Sequence, residues 1–223
     1  VPRRRSELYG RRTGRPLSVQ QQGLFQTLLP KIAVPSGAID LRALFPGASE
    51  FAFEVGFGGG EHLAAQARAH PQRGHIGCEP YINGQAKLLT LVHDGALTNV
   101  RIHPEDAREV LVRLPDASLS AAYVLFPDPW PKLRHHKRRF IQGQTVAELA
   151  RAIRPGGEFR LATDHMDYAR WALMHMMNQA LFRWSAMCAS DWRVRPEDWP
   201  STRYEQKALA DGRPCVYLRF TRV

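Results

Sequence analysis

The sequence predicts a doubly wound α/β sheet. Three observations carry this. From about residue 50, short apolar runs alternate with helix-forming stretches; a glycine turn, Gly56-Phe-Gly-Gly-Gly60, follows the first run directly; and an acidic residue stands at or just past the end of each of five runs. Strand–helix alternation at this spacing builds a parallel sheet covered by helices. Right-handed crossovers bring all strand carboxyl ends to one edge, and ligands bind there, where the strand order reverses.

The elements follow in order. The opening stretch holds Arg3, Arg4, Arg5, Arg11, Arg12 and Arg15 with Gly10, Gly14 and Pro16 between them. No apolar core follows, so it reads as a mobile basic arm and not as an export signal. A short helix is expected over 20–29, stopped by Pro30, and Pro35, Gly37, Pro46 and Gly47 then break the chain. The expected organisation is a basic arm with a short helix over 1–48 and one α/β domain over 49–223. Strands are expected over 51–55, 75–78, 100–103, 119–126 and 158–162, with helices over 61–70, 84–93, 107–113, 145–153 and 166–180 between and after them. Pro155-Gly-Gly157 should stop the fourth of these helices. Two final strands over 181–187 and 214–221 bring the sheet to seven.

Composition narrows the class. The 223 residues are 44% hydrophobic and 23% charged, which excludes a disordered chain, a collagen and a coiled coil. No apolar run approaches the roughly 18 residues of a membrane span. The three cysteines, Cys78, Cys188 and Cys215, are far apart, which fits neither a disulfide framework nor a zinc site and points to the cytoplasm. A net charge of +10 favours a polyanionic partner, nucleic acid above all.

The acidic residues are Glu54, Glu79, Asp106, Asp128 and Asp164, one at each strand end, which would make an acidic cleft in a basic protein. The glycine loop, with Gly56, Gly58 and Gly60, lets the backbone approach a ligand. A dinucleotide fingerprint would need glycine at position 61, but Glu61 stands there, poor company for a pyrophosphate. S-adenosylmethionine has no phosphate; its cationic end suits carboxylates and its carboxylate suits loop amides. Glu79 falls where an acidic side chain accepts from both ribose hydroxyls, and Asp106 where the adenine amino group needs an acceptor.

The most distinctive stretch is Phe126-Pro-Asp-Pro-Trp-Pro-Lys-Leu-Arg-His-His-Lys-Arg-Arg139. Prolines 127, 129 and 131 stiffen the loop that presents Asp128 and Trp130. Arg134, Lys137, Arg138 and Arg139 follow at once and suggest contacts to a phosphate backbone. His135 and His136 have no carboxylate or cysteine at metal-site spacing, so no metal is expected.

With Glu54-Val-Gly-Phe-Gly-Gly-Gly60, Gly77-Cys-Glu79, Pro104-Glu-Asp-Ala107, Ala162-Thr-Asp164 and Thr202-Arg-Tyr-Glu205, this stretch resembles the bacterial tRNA (guanine-N7)-methyltransferases over about residues 50–220. His165 stands where that family commonly has Trp, and Arg203-Tyr204 where it commonly has Lys-Phe. The resemblance implies a class I, Rossmann-like methyltransferase sheet with a reversed last strand, and methyl transfer from S-adenosylmethionine to N7 of a guanine in the variable region of tRNA. It implies that Glu54, Glu79, Asp106 and the glycine loop hold the cofactor, and that Asp128 is the active-site carboxylate, also near the cofactor. Lys132, Asp164, Thr202, Arg203, Tyr204 and Glu205 would then contact the substrate, and Arg134, Lys137, Arg138 and Arg139 the RNA backbone. Trp130 and Tyr204 are candidate stacking surfaces. No obligate protein partner and no membrane are implied. Two alternatives stay open: a non-catalytic RNA-binding relative, and a nicotinamide-dependent oxidoreductase, against which Glu61 argues.

Overall fold

The structure, a computed structural model, describes residues 9–223. Arg3, Arg4 and Arg5 of the expected arm therefore lie outside the described residues. Helices α1 (Val19–Thr27), α2 (Leu29–Ile32) and α3 (Leu41–Leu44) precede the sheet. Strand β1 (Glu50–Val55) is followed by α4 (Glu61–Ala69), β2 (Arg73–Cys78), α5 (Ile82–Asp94), β3 (Val100–His103) and α6 (Ala107–Leu111). Then come β4 (Leu119–Leu125), a 3-10 turn (Leu133–Arg138), α7 (Gly143–Ala152), β5 (Ile153–Thr163) and α8 (Met166–Met177). Strand β6 (Phe182–Trp184), α9 (Ser190–Arg193), α10 (Arg203–Ala210) and β7 (Val216–Arg222) complete the chain.

The sheet order is β3-β2-β1-β4-β5-β7-β6. Strands β1 to β5 pair in parallel, and β7 runs antiparallel to both β5 and β6, so the last strand is reversed as expected. The order turns back between β1 and β4, and a crevice opens beyond their carboxyl ends for that topological reason.

Helices cover both faces. Leu24, Leu63, Leu88 and Leu89 pack one face through α1, α4 and α5, while Val110, Leu149, Tyr168 and Met176 pack the other through α6, α7 and α8. Phe53, Ile76, Ile102 and Phe159 are fully buried in the strands, which is why those strands read as continuous apolar runs.

Helices α6 and α8 end a turn or less before the expected residues and β6 is shorter than expected; at two further places the proline signals act otherwise than expected. Pro30 does not stop a helix; it sits in the first turn of α2, where its missing N–H costs nothing. Pro155-Gly-Gly157 does not separate helix from strand either: Ile153 already pairs with Leu119, and the exposed residues 154–156 bulge out before Glu158 pairs with Ala121. Helices α3 and α9 are single short turns with little sequence signal, whereas α10, also not expected, opens on Thr202-Arg-Tyr-Glu205, a helix-start pattern.

Candidate active site

A cleft of about 470 Å³ opens at the carboxyl ends of β1 and β4. Its walls come from the loops after β1, β2, β3 and β4, with Gly56, Gly58, Glu79, Asp106 and Asp128 among the lining residues. Val55, Cys78, Leu125, Phe126 and Phe140 make it partly apolar. Volume and mixed lining suit a drug-sized ligand.

The glycine loop is built around Glu79. Its Oε2 accepts from the Gly58 amide (2.7 Å) and its Oε1 from the Tyr81 amide (2.9 Å). Burial pushes the Glu79 carboxyl above its usual pKa range, opposed by those two amides. Two ionised oxygens offer about four lone-pair sites, so acceptor capacity remains for hydroxyls of a ligand. Gly58 has a φ of +56°, and a Cβ there would fall 2.8 Å from Cε2 of Tyr204. Only glycine allows both the left-handed turn and the approach of that ring. Tyr204, on α10, thus lies over the loop and lines the cleft.

Glu54 does not line the cleft. Its carboxylate is 2% exposed side by side with His62, whose Nδ1 lies 2.7 Å from Oε2, and the imidazole packs edge-on against Tyr123. Gly60 likewise stands off the cleft, as the N-cap of α4. The expected cofactor set is thus divided: Gly56, Gly58, Glu79, Asp106 and Asp128 line the cleft, and Glu54 and Gly60 do not. Asp106 also caps α6, accepting from the Arg108 amide at 2.9 Å, while the Arg108 guanidinium lies 3.1 Å from Oδ2.

The proline loop after β4 is fixed at both ends. Phe126 (φ +50°) and Trp130 (φ +43°) are left-handed non-glycine residues, a conformation that persists only where surroundings enforce it. Arg139 supplies part of that enforcement. Its Nε donates to the Pro129 carbonyl (2.9 Å), and its Nη2 lies 3.4 Å from the Trp130 carbonyl and 2.5 Å from Asp167 on α8. The guanidinium also faces the Tyr168 and Trp171 rings. The Arg139 side chain is 0% exposed, which corrects the expectation that it meets a phosphate backbone. Arg134 and Lys137 are exposed, and Arg138 stacks over Trp130 and Tyr9, 5.0 and 4.2 Å from their centroids. Asp128 is open to the cleft, yet the surrounding walls push its carboxyl above the ordinary range by desolvation.

The expected substrate residues separate in the same way. Lys132 is exposed on the loop's far end. Asp164, just past β5, is ion-paired with Arg213. Thr202 caps α10 by accepting from the Glu205 amide. Glu205 itself is buried; it accepts a short hydrogen bond from the Tyr217 hydroxyl, and Arg195 lies 3.2 Å away. Its carboxylate is therefore committed inside the fold and not presented to a substrate, a correction to the expectation. Arg203 pairs with Glu61 at 3.4 Å and leans over Tyr204.

The described part of the basic arm is not a free tail. Arg12 pairs with Glu105 at 2.5 Å, its carbonyl accepts from the Ile82 amide, and the Arg15 carbonyl accepts from Asn83 Nδ2 (2.7 Å). Tyr9, Gly10 and Arg11 line the cleft. Sequence reasoning missed this strap and Arg213, whose partners lie far off in the chain; it also missed Arg108 and His62, whose partners Asp106 and Glu54 are near in sequence but are met only through the way the loops fold. Among the described residues, no group of three or more His, Cys, Asp and Glu is placed to hold a metal, and no helix is long and apolar enough to cross a membrane.

Comparison with known proteins adds relatives to this geometry. The family described as "Putative methyltransferase" matches residues 48–218. A tRNA (guanine-N(7)-)-methyltransferase of Rhodospirillum rubrum is 47% identical, with 99% of this chain and 89% of the relative covered. One of Sphingopyxis alaskensis is 50% identical, with 97% of this chain and 94% of the relative covered. Among solved structures, the 16S rRNA methyltransferase KamB aligns with a TM-score of 0.56 at 19% identity, covering 79% of this chain and 89% of that one. An antibiotic-related methyltransferase aligns with a TM-score of 0.57 at 16% identity, covering 86% of this chain and 100% of that one. At such identities these structures speak for the fold alone.

Proposed function

The chain belongs to the tRNA (guanine-N7)-methyltransferases, and we propose on that premise that its cleft holds S-adenosylmethionine and a tRNA guanine together for methyl transfer to N7. The observation that carries the reading is the meeting of Glu79, the glycine loop and Asp128 in one cleft. The residues fit the cofactor: Glu79 has spare acceptor capacity for ribose hydroxyls, Gly56 has no atom within 4 Å of where a Cβ would sit, and apolar side chains can cover a ring. When bound, the cofactor supplies an electrophilic methyl on a sulfonium, which guanine N7 can accept through its in-plane lone pair with no proton to remove. The protein's work is therefore placement and electrostatics. Asp128 accepts from the guanine N1–H and amino group, which adenine cannot supply, and its negative charge offsets the charge that methylation puts on the ring. Trp130 and Tyr204 offer faces to a base that has left its stack. Arg134, Lys137 and Arg138 hold phosphates; Lys132 and Asp164 contact the substrate, the latter once Arg213 yields. Locating the methyl after incubation with unmodified tRNA tests the reading; absence of N7-methylguanosine refutes it.

Glu79→Ala is expected to weaken S-adenosylmethionine binding about tenfold or more in calorimetry, because ribose acceptors and the Gly58 anchor both disappear. Unchanged affinity would take Glu79 out of the site.

Truncation separates the two parts of the arm. Removing residues 1–8 deletes Arg3, Arg4 and Arg5, so tRNA affinity should fall and its salt slope flatten by up to about three, with saturating turnover nearly kept. Removing residues 1–16 also deletes the cleft wall at Tyr9 to Arg11 and should lower turnover as well. Equal turnover for the two truncations would contradict the wall assignment.

A further inference from the structure

Beside the catalytic cleft, and sharing Arg11, Tyr81 and Tyr204 with it, lies a second groove of about 470 Å³. Its lining includes Arg11, Arg15, Lys87 and Arg203, the rings of Tyr81 and Tyr204, and no acidic residue among the described residues. Arg11, Arg15 and Lys87 are exposed; Arg203 is partly offset by Glu61 at 3.4 Å. The groove is built and not merely a charged surface. The strap is pinned to the start of α5 through the Ile82 amide and Asn83 Nδ2. Gly14 permits that seating, since a Cβ there would collide with the Tyr81 hydroxyl and lie 2.7 Å from Asn83 Oδ1.

We propose that this groove holds the sugar-phosphate backbone of the tRNA strand adjoining the target guanosine, through residues that do not belong to the basic run at 134–138. The proposal rests on the functional reading above and extends it to a site of its own. Cations interleaved with aromatic faces suit a single-stranded segment: phosphates meet Arg and Lys, and a base or ribose lies on tyrosine. A guanine displaced from its stack leaves its neighbours on both sides strained, and gripping phosphates on both flanks holds the base in line. Arg134, Lys137 and Arg138 are available in the basic run, and in the groove Arg11, Arg15 and Lys87 make no ion pair among the described residues. Because these contacts go to phosphates, they carry register and affinity, not sequence preference.

The test uses Lys87→Ala, Arg15→Ala and the double variant. Both side chains are exposed, so folding is not at stake. The double variant should raise the tRNA dissociation constant about tenfold and flatten its salt slope by about two units, with S-adenosylmethionine affinity unchanged. The loss should be the same for tRNAs of different sequence. Unchanged tRNA affinity and slope in the double variant overturn the proposal, even with normal methylation by the unaltered protein. If the unaltered protein binds tRNA but forms no N7-methylguanosine, the catalytic reading fails, while loss of tRNA binding in the variants still supports the groove.

Discussion

Asp128→Asn should lower turnover by about 10²-fold or more while S-adenosylmethionine and tRNA still bind, an effect of the size seen when one preorganised charge-stabilising group is lost. The amide preserves the shape of the Pro127–Pro131 loop but removes the negative charge and turns one acceptor into a donor, which faces the guanine N–H groups wrongly. Desolvation raises the Asp128 carboxyl above its ordinary range, so the acceptor form is lost at a higher pH than for a free carboxylate. In the unaltered protein, kcat/KM should therefore fall on the acid side of neutrality through that raised pKa, and the asparagine variant should lose this limb. Single-turnover rates across pH, with binding measured in parallel, decide the matter. Turnover near that of the unaltered protein would leave Asp128 only a loop-shaping role.

Arg139→Lys should give the second large loss, about 10- to 100-fold in kcat, with little change in KM for tRNA. The reason is geometric. A planar guanidinium reaches the Pro129 and Trp130 carbonyls and Asp167 at once, and a lysine ammonium cannot reproduce that fork. The loop carrying Asp128 would then drift relative to α8, and displacements on the order of 1 Å cost about 10²-fold. Arg139→Ala would leave buried carbonyls and a cavity and is expected to unfold at lower temperature, so the lysine variant is the informative one. The salt slope of tRNA binding distinguishes positioning from phosphate contact. A positioning role leaves the slope unchanged in Arg139→Lys and in Arg139→Ala where it folds, whereas a slope reduced by about one in the alanine variant would restore the phosphate role. The Asp167→Asn variant should lose less, because that carboxylate is half exposed.

Arg138 and Arg139 show what adjacency in sequence leaves undecided. Both belong to one basic run, and nothing in charge or spacing separates them. The 3-10 turn at Leu133–Arg138 sends the first over Tyr9 and Trp130 and the second inward beneath the proline loop. Glu205 and Asp128 differ in the same way: each lies in a loop or helix start at the expected edge, but Tyr217 takes up the Glu205 carboxylate while Asp128 stays open to the cleft.

What the sequence determined by itself was everything governed by local periodicity and short spacing. The alternation of strands and helices, the glycine turn after β1, the acidic residues at strand ends and the stiff loop at 126–131 are all local features, and burial of apolar strands between helix layers leaves few sheets that satisfy them. Tertiary structure alone decided which charged groups face the cleft. Glu54 meets His62, Asp164 meets Arg213, and Arg12 meets Glu105, each pair joining different elements whose orientation is set by the packing of whole layers. The strap over residues 9–16 is the clearest instance: its glycines and arginines read as a mobile tail, but hydrogen bonds to α5 and the ion pair to Glu105 make it a wall of the cleft. A chain can encode such a contact only through a partner some 70 to 90 residues away, and no local pattern records it.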